Sequence, residues 1–582
     1  VLLDLGETLD VDSVACGAVP CSFERPDPDR LAVTLPGFLS EGDSTTVFVA
    51  YHGTPGPAYF GGFEFYSSHG EEGDAFPVVS TLSQPDRSRE WRPCKDVMDD
   101  KSTLSLTVET PPGFVVAGNG NRMREETDGE RIRTTWETSY PIAPYLVSFA
   151  ATDYAVWTET YHAADGDSVP LLFYAYPEDE APARTDFAVT HEALDAFEAR
   201  FGPYPFRNRE IGWEKLGVAQ FAWSSGAMEH QTCVSYGERF VTGDRSYDWA
   251  LAHEIAHQWW GDAVTPATLD DIWLNEGFAT YCEALFAEAQ EGTSGYRDWM
   301  RRLRRSVNVE YPGTVVRPLA PFNATVYRKG AWTMHMLRHV LGDEMFFEAL
   351  DRYYREHEHK TTSTAEFIRI VEETAARDLR WFFLPWLYGT GRPQLSWDWW
   401  VDDVGGAPQV RLFVSQTQSE PDYPVGTPYS APPDHFSFPL VVRAYAGGDS
   451  IERTVFIGRR EEVAVLDGLP FVPDRLALDP DEWILREIAE RGVGLPQARL
   501  SVSPNPTAGP TLLLVRVEPR RAVDVEIYDV AGRRVRVLDR LETAGLHRVP
   551  WDGRSEEGRA VAAGLYFARA GGGEAARIVI AR

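Results

Sequence analysis

Residues 1–153 alternate apolar and polar side chains between Pro/Gly turns, as in Ser102-Thr-Leu-Ser-Leu-Thr-Val-Glu-Thr110 followed by Pro111-Pro-Gly113. A period of two bounded by turn residues predicts an antiparallel β domain. Val1 to Val14 reads as a strand entered mid-domain, so the sequence is expected to be truncated or processed, with any targeting segment lost from view. From 154 to 393 helical periodicity dominates after a short β part, and Phe201-Gly-Pro-Tyr-Pro-Phe206 is expected to break two helices. Residues 394–488 return to strands: Gln409-Val-Arg-Leu-Phe-Val-Ser415, then Phe436-Ser-Phe-Pro-Leu-Val-Val-Arg443, with Ala477-Leu-Asp-Pro-Asp-Glu-Trp-Ile-Leu485 closing the sheet. After a linker from Ala489 to Gln497, residues 498–582 alternate again in Val523-Asp-Val-Glu-Ile-Tyr-Asp-Val530 and Gly564-Leu-Tyr-Phe-Ala-Arg569. With their Gly and Asn-Pro turns they predict a compact, immunoglobulin-like β-sandwich. The fold class is therefore multidomain α+β.

The helical stretch carries the chemistry. His253-Glu254-Ile-Ala-His257 places two histidines four apart, on one helix face, and Glu276 follows nineteen residues later in Trp273-Leu-Asn-Glu276-Gly277. Two imidazoles and a carboxylate suit a catalytic Zn²⁺ that keeps its fourth position for water, and Glu254 is placed to take that water's proton. The flanks, Trp249-Ala-Leu-Ala252 and Gln258-Trp-Trp-Gly-Asp262, predict an apolar, helical, buried setting. There, histidines without partners would be costly.

His253-Glu-Ile-Ala-His257-Gln-Trp-Trp-Gly-Asp262 and Trp273-Leu-Asn-Glu276-Gly277 resemble the aminopeptidase N and leukotriene hydrolase family of gluzincin zinc peptidases. Gly226-Ala-Met-Glu229-His230 resembles that family's Gly-x-Met-Glu-Asn exopeptidase loop, and Val326-Tyr327-Arg-Lys-Gly330-Ala331 its Tyr-x-Lys-Gly-Ala segment. The resemblance implies one zinc ion per chain on His253, His257 and Glu276, with Glu254 as base. It also implies Tyr327 as donor to the oxyanion, Glu229 as counter-charge to a substrate's free amino terminus, and the Gly226-Ala227 backbone as a strand-like peptide rest. Two positions depart from the pattern: His230 replaces the Asn, and Gln84 stands where many relatives carry a second amine-binding Glu. An amide there can still accept a hydrogen bond but loses the charge-assisted part, so strict N-terminal specificity is less firmly implied than zinc hydrolysis. Asn275 and Asp262 are candidate supports for these groups, and Trp91-Arg-Pro-Cys94-Lys-Asp96 resembles a family segment near the substrate cleft.

By the same resemblance, residues 154–393 form a thermolysin-like catalytic domain and 394–488 a small β-sandwich, while the large helical domain of many relatives is missing. Residues 498–582 resemble the immunoglobulin-like module of flagellar-hook-capping type that ends many secreted bacterial hydrolases and in some bacteria serves as a sorting signal. The implied protein is a secreted or cell-surface bacterial zinc aminopeptidase acting on peptides with a free N-terminus. The C-terminal module implies contact with secretion machinery or a cell surface, or a passive spacer. A relaxed zinc peptidase or an epoxide hydrolase would use the same constellation, and a non-enzymatic adhesion or scaffold protein is the reading from a different class.

Composition narrows this further. With 56 Lys and Arg against 88 Asp and Glu, the net charge of −32 argues against nucleic-acid binding through phosphate neutralisation. No run of eighteen apolar residues offers a transmembrane anchor. The five cysteines lack Cys-x-x-Cys spacing, which implies no second metal site, and Cys16 and Cys21 are spaced to bridge a short loop if the protein is exported.

Overall fold

The computed structural model describes residues 1–55, 62–70, 75–208, 210–223, 226–305, 313–404, 407–423, 433–489, 500–503, 505–517, 522–542, 545–571 and 575–581. The chain divides into two compact units. The first comprises Val1–Gly391 with Pro421–Asp434 and Asp481–Leu485; the second comprises Arg392–Glu420, His435–Pro480 and Arg486–Arg582.

The first unit begins with small, mainly antiparallel sheets, among them Asn121–Asp128, Arg131–Ile142 and Ser102–Thr110 in that order. The alternation read in the sequence is the alternation of the sheet's two faces. The opening segment makes two strands, and they join different sheets: Leu2–Asp4 pairs with Arg30–Val33, Leu9–Cys16 with Val47–Gly53. Between them Leu5, Leu9, Val14, Leu31 and Val33 make a local core. Cys16 and Cys21 are joined by a disulfide, while Cys94, Cys233 and Cys282 are free and buried.

A five-stranded mixed sheet follows, built from β1 (Ala155–His162), β2 (Ser168–Ala175), β3 (Leu216–Phe221), β4 (Ala227–Met228) and β5 (Cys233–Gly237). Its order is β1-β2-β3-β5-β4. Every residue of β3 and β5 is buried, as expected of parallel strands in the middle of a sheet. The short β4 lies at the edge, antiparallel to β5. The expected break at 201–206 is there, but the element after it is a strand and not a helix. Helix Val189–Phe201 stops at Gly202, and the chain runs into strand Arg207–Asn208, paired with Gly212–Trp213. Prolines at 203 and 205 favour extended backbone in the residues before them, which periodicity alone does not show.

Three helices build the rest of the site: α1 (Asp248–Ala256), α2 (Trp273–Arg305, kinked at Gly292) and α3 (Gly330–Leu341). A single π-turn, Thr325–Lys329, leads into α3. Among the described residues no helix is long and apolar enough to cross a membrane.

In the second unit, Gln394–Val404, Ala407–Gln416 and Glu461–Leu466 form one sheet with Glu487–Ile488, and Asp449–Ile457, Phe438–Ala446 and Arg475–Leu478 form another. The strand expected to run to Leu485 ends at Leu478. Asp479 and Glu482 take positive φ and Pro480 lacks an N–H, so the ladder cannot continue. Asp481–Leu485 instead belongs to the first unit: Asp481 pairs with Arg297, Glu482 with Arg301 and Arg304, and Trp483 lies between the rings of His335 and His339. The expected linker falls mostly outside the described residues. Among the described residues the C-terminal segment has three strands in one sheet and four in the other, and Leu513, Val515, Val525, Ile527, Trp551 and Ile578 close a common core between them.

Candidate active site

Helix α1 carries His253 and Glu254 and ends with His257 as its C-terminal cap, so the helix is shorter than its apolar flank suggests; Trp259 and Trp260 lie beyond it, in buried turns. Glu276 stands in the first turn of α2. His253 Nε2 lies 3.5 Å and His257 Nε2 3.6 Å from Glu276 Oε2. Ligand atoms about 2.0–2.2 Å from a tetrahedral zinc lie roughly 3.3–3.6 Å from one another, so these three residues fit that ion, and one atom from each lies within 4.8 Å of the others.

The far side of each imidazole is held. His253 Nδ1 is 2.8 Å from Glu283 Oε1, whose other oxygen accepts from Trp299 Nε1 at 2.9 Å, and His257 Nδ1 is 3.0 Å from the carbonyl of Trp260. Such partners keep the proton on Nδ1 and aim the Nε2 lone pair at the centre. The Trp260 carbonyl is brought round by a turn at Gly261, whose φ of 140° and proximity to Asn275 Oδ1 leave no room for a Cβ. Burial would raise the carboxyl of Glu276, but its two imidazole neighbours overcome that and bring it down to about 2. Burial lifts Glu254 up to about 8, moderated by His253 and His257, before any ion adds its charge.

Glu229, just past β4, faces the same centre. Its Oε1 accepts from Gln84 Nε2 at 3.1 Å and from Asn275 Nδ2 at 3.0 Å. Burial raises its carboxyl above the ordinary range. The Gln84 amide thus reaches the carboxylate itself. Gly226 and Ala227 lie on the sheet's edge, where Gly226 O accepts from Gly237 N at 2.9 Å. Tyr327 projects from the π-turn with its ring stacked on His253, 6.2 Å between centroids. Burial first, and the nearby carboxylates after it, hold its phenol protonated and able to donate. The turn is pinned by Lys329 Nζ on Gly389 O at 2.7 Å and by Asn323 Oδ1, which accepts from Thr325 N. Asp262 lies buried behind, with Lys101 Nζ on its carbonyl at 2.7 Å.

His253, Glu254, His257, Glu276, Tyr327, Glu229, Gln84, Gly226 and Ala227 thus line two cavities that share residues: about 110 Å³ beside Gln84 and Glu229, and about 390 Å³ beside Gly226 and Asn323. His253, Glu254, Ala227 and Tyr327 border both. The sequence reading missed Glu283, Trp299 and Lys101. Glu283 stands seven residues after Glu276, two turns along the same helix face, and that spacing was the available signal.

Residues 185–386 match the peptidase family M1 domain and residues 8–146 the peptidase M1 N-terminal domain, together more than half of the chain. The chain belongs to peptidase family M1. Residues 510–572 match the FlgD Ig-like domain. Relatives include aminopeptidase N of Streptomyces lividans, 28% identical over 355 residues (56% of this chain, 38% of that protein), and human glutamyl aminopeptidase, 26% over 425 residues (69% and 42%). The Lactococcus lactis subsp. lactis aminopeptidase N is 27% identical over 468 residues, 74% of this chain and 52% of that protein. The M1 chain therefore spans about half or less of the length of these relatives. Among solved structures, the M1 zinc metallopeptidase of Deinococcus radiodurans shares the fold with a TM-score of 0.59 at 23% identity, covering 68% of this chain and 86% of that one. Legionella pneumophila aminopeptidase A in complex with aspartic acid gives 0.67 at 19%, covering 84% and 55%.

Proposed function

We propose that this chain is a zinc-dependent aminopeptidase that removes N-terminal residues from peptides. The observation that supports the reading is a buried carboxylate, Glu229, lining one cavity with His253, His257 and Glu276, which could hold a metal ion, and with Glu254 and Tyr327.

His253, His257 and Glu276 would hold one Zn²⁺ per chain. When bound, the ion polarises the scissile carbonyl and acidifies the water it holds. Glu229, with Gln84 and Asn275 fixing one oxygen, binds the substrate's ammonium group through the other. The edge of β4 at Gly226 and Ala227 takes the peptide backbone by strand addition. Glu254 accepts a proton from the attacking water and returns it to the nitrogen of the leaving amine. Tyr327 donates to the oxygen that gains charge, a contribution of roughly 10²–10³ in kcat for one preorganised donor.

The domain organisation proposed with this reading is a β domain at 1–153, a catalytic domain at 154–393, a β-sandwich at 394–488 and an immunoglobulin-like module at 498–582. Secretion or cell-surface placement is proposed as well. Its supports are the Cys16–Cys21 disulfide, characteristic of oxidising compartments, and the FlgD Ig-like match. Hydrolysis of alanyl-coumarin by wild type and Glu254→Gln, with chelator and after zinc is restored, tests the activity. Turnover is expected only in wild type with zinc; equal turnover in the variant would refute the assigned base.

A further inference from the structure

Helix α2 doubles back on itself. Residues fifteen or sixteen apart on a straight helix lie about 22–24 Å from one another, yet Trp299 Nε1 donates to Glu283 Oε2 at 2.9 Å and the hydroxyls of Tyr281 and Tyr296 meet at 3.2 Å. The reversal is at Gly292, whose φ of 69° and ψ of −159° leave the helix. The first half carries Glu276 and Glu283. The second carries Trp299, which holds one oxygen of Glu283 while the other lies 2.8 Å from His253 Nδ1. The orientation of a metal-centre imidazole therefore depends on where the second half of α2 sits.

The outer face of that half is tied down. Arg297, Arg301 and Arg304 recur at helix spacing. Arg297 pairs with Asp481 at 3.1 Å, and Arg301 and Arg304 each pair with Glu482 at 3.1 Å. The same short segment reaches α3. Trp483 stacks on His335 and His339, with ring centroids 4.9 and 4.8 Å away, and the carbonyl of Glu482 lies 3.1 Å from His335 Nε2. A carbonyl only accepts, so Nε2 carries the proton. Burial pushes this imidazole down to about 3 and keeps it neutral, which leaves Nδ1 to accept from the Tyr296 hydroxyl at 2.6 Å. Asp481–Leu485 thus grips the second half of α2 both directly and through α3.

We propose that Asp481–Leu485 is a positioning clamp for the metal centre. Glu482 and Trp483 hold the second half of α2 against the first, Trp299 then fixes Glu283, and Glu283 aims His253. Neither Glu482 nor Trp483 lines the two cavities, so both act through other residues. The inference rests on the reading of His253, His257 and Glu276 as a zinc site.

The test measures zinc affinity by chelator competition on the full chain, with melting of the zinc-free protein recorded alongside. The variants are Glu482→Gln, Trp483→Ala and Trp483→Phe, each alone and combined with Trp299→Phe, which keeps the ring and removes the indole N–H. Trp299→Phe is expected to weaken zinc binding about tenfold, and Glu482→Gln and Trp483→Ala at least about threefold. Trp483→Phe, which retains a stacking ring, should restore most of the affinity. Added to Trp299→Phe, the clamp substitutions should cost no further affinity, because the contact they act through is already gone. Wild-type affinity in Glu482→Gln and Trp483→Ala, whatever happens to their melting, overturns the clamp, as do losses that multiply with that of Trp299→Phe. Glu482→Gln keeps the segment's backbone and its carbonyl on His335, so it decides the matter even where Trp483→Ala does not fold. Failure of the wild-type chain to bind one zinc overturns the metal-site reading and the clamp with it.

Discussion

In the proposed mechanism Glu254 takes a proton from water and gives it up again, and burial lifts its carboxyl to about 8. Replacing it by Gln keeps the shape and removes the exchange, so kcat is expected to fall by about 10²–10⁴ while bound zinc, measured by atomic absorption, stays at one per chain. Glu283 works differently, by orienting His253. Glu283→Gln is expected to weaken zinc binding by about 10–100-fold in a chelator competition; unchanged affinity would mean that the His253 ring is held by packing alone. The clustering of His253, His257 and Glu276 beside Glu254 was legible because metal chemistry demands particular residue types at a helix spacing. Glu283 was not, since a carboxylate seven residues along a helix is an ordinary occurrence. Trp299 and Arg302 lie further along α2 still, and only the fold shows that they face the Glu254 cavity.

Elements place these groups with little slack. The turn after α1 passes through Gly261, where a side chain would meet both an unfavourable φ and the amide of Asn275. Gly261→Ala is therefore expected to cost about 2 kcal/mol or more, seen as a lower urea midpoint, and to disturb zinc binding through the Trp260 carbonyl. Stability and affinity equal to wild type would show that the turn relaxes freely. Alternation and turn residues exposed the β regions because solvent and core faces alternate in a strand. The π-turn under Tyr327 has no sequence period of its own, and Asp481–Leu485 was misread because Glu482 pairs with Arg301 on α2 and Trp483 stacks on His335 of α3 instead of continuing the strand.

At the scale of the whole molecule, 88 acidic against 56 basic side chains give a charge of −32 that repels itself in the folded state. Raising salt from about 0.05 to 0.5 M is expected to raise the Tm by roughly 2–4 °C, the shift of about 1 kcal/mol in a domain of some 200 residues; a fall in calorimetry would mean that attractive pairs outweigh the repulsion. The order of β, helical and β regions was visible as a change of hydrophobic period. The membership of Asp481–Leu485 in the first unit was not, because it depends on tertiary docking. On the proposed function, Glu229 makes a zinc hydrolase act from the amino terminus. The most direct measurement sets alanyl-coumarin beside N-acetyl-alanyl-coumarin, on wild type and Glu229→Gln. The free amine is expected to be cleaved at least about 10²-fold faster by wild type, with the preference largely lost in the variant as the charge-assisted contact goes; equal cleavage of the two substrates by wild type would mean that Glu229 does not select the free amino terminus.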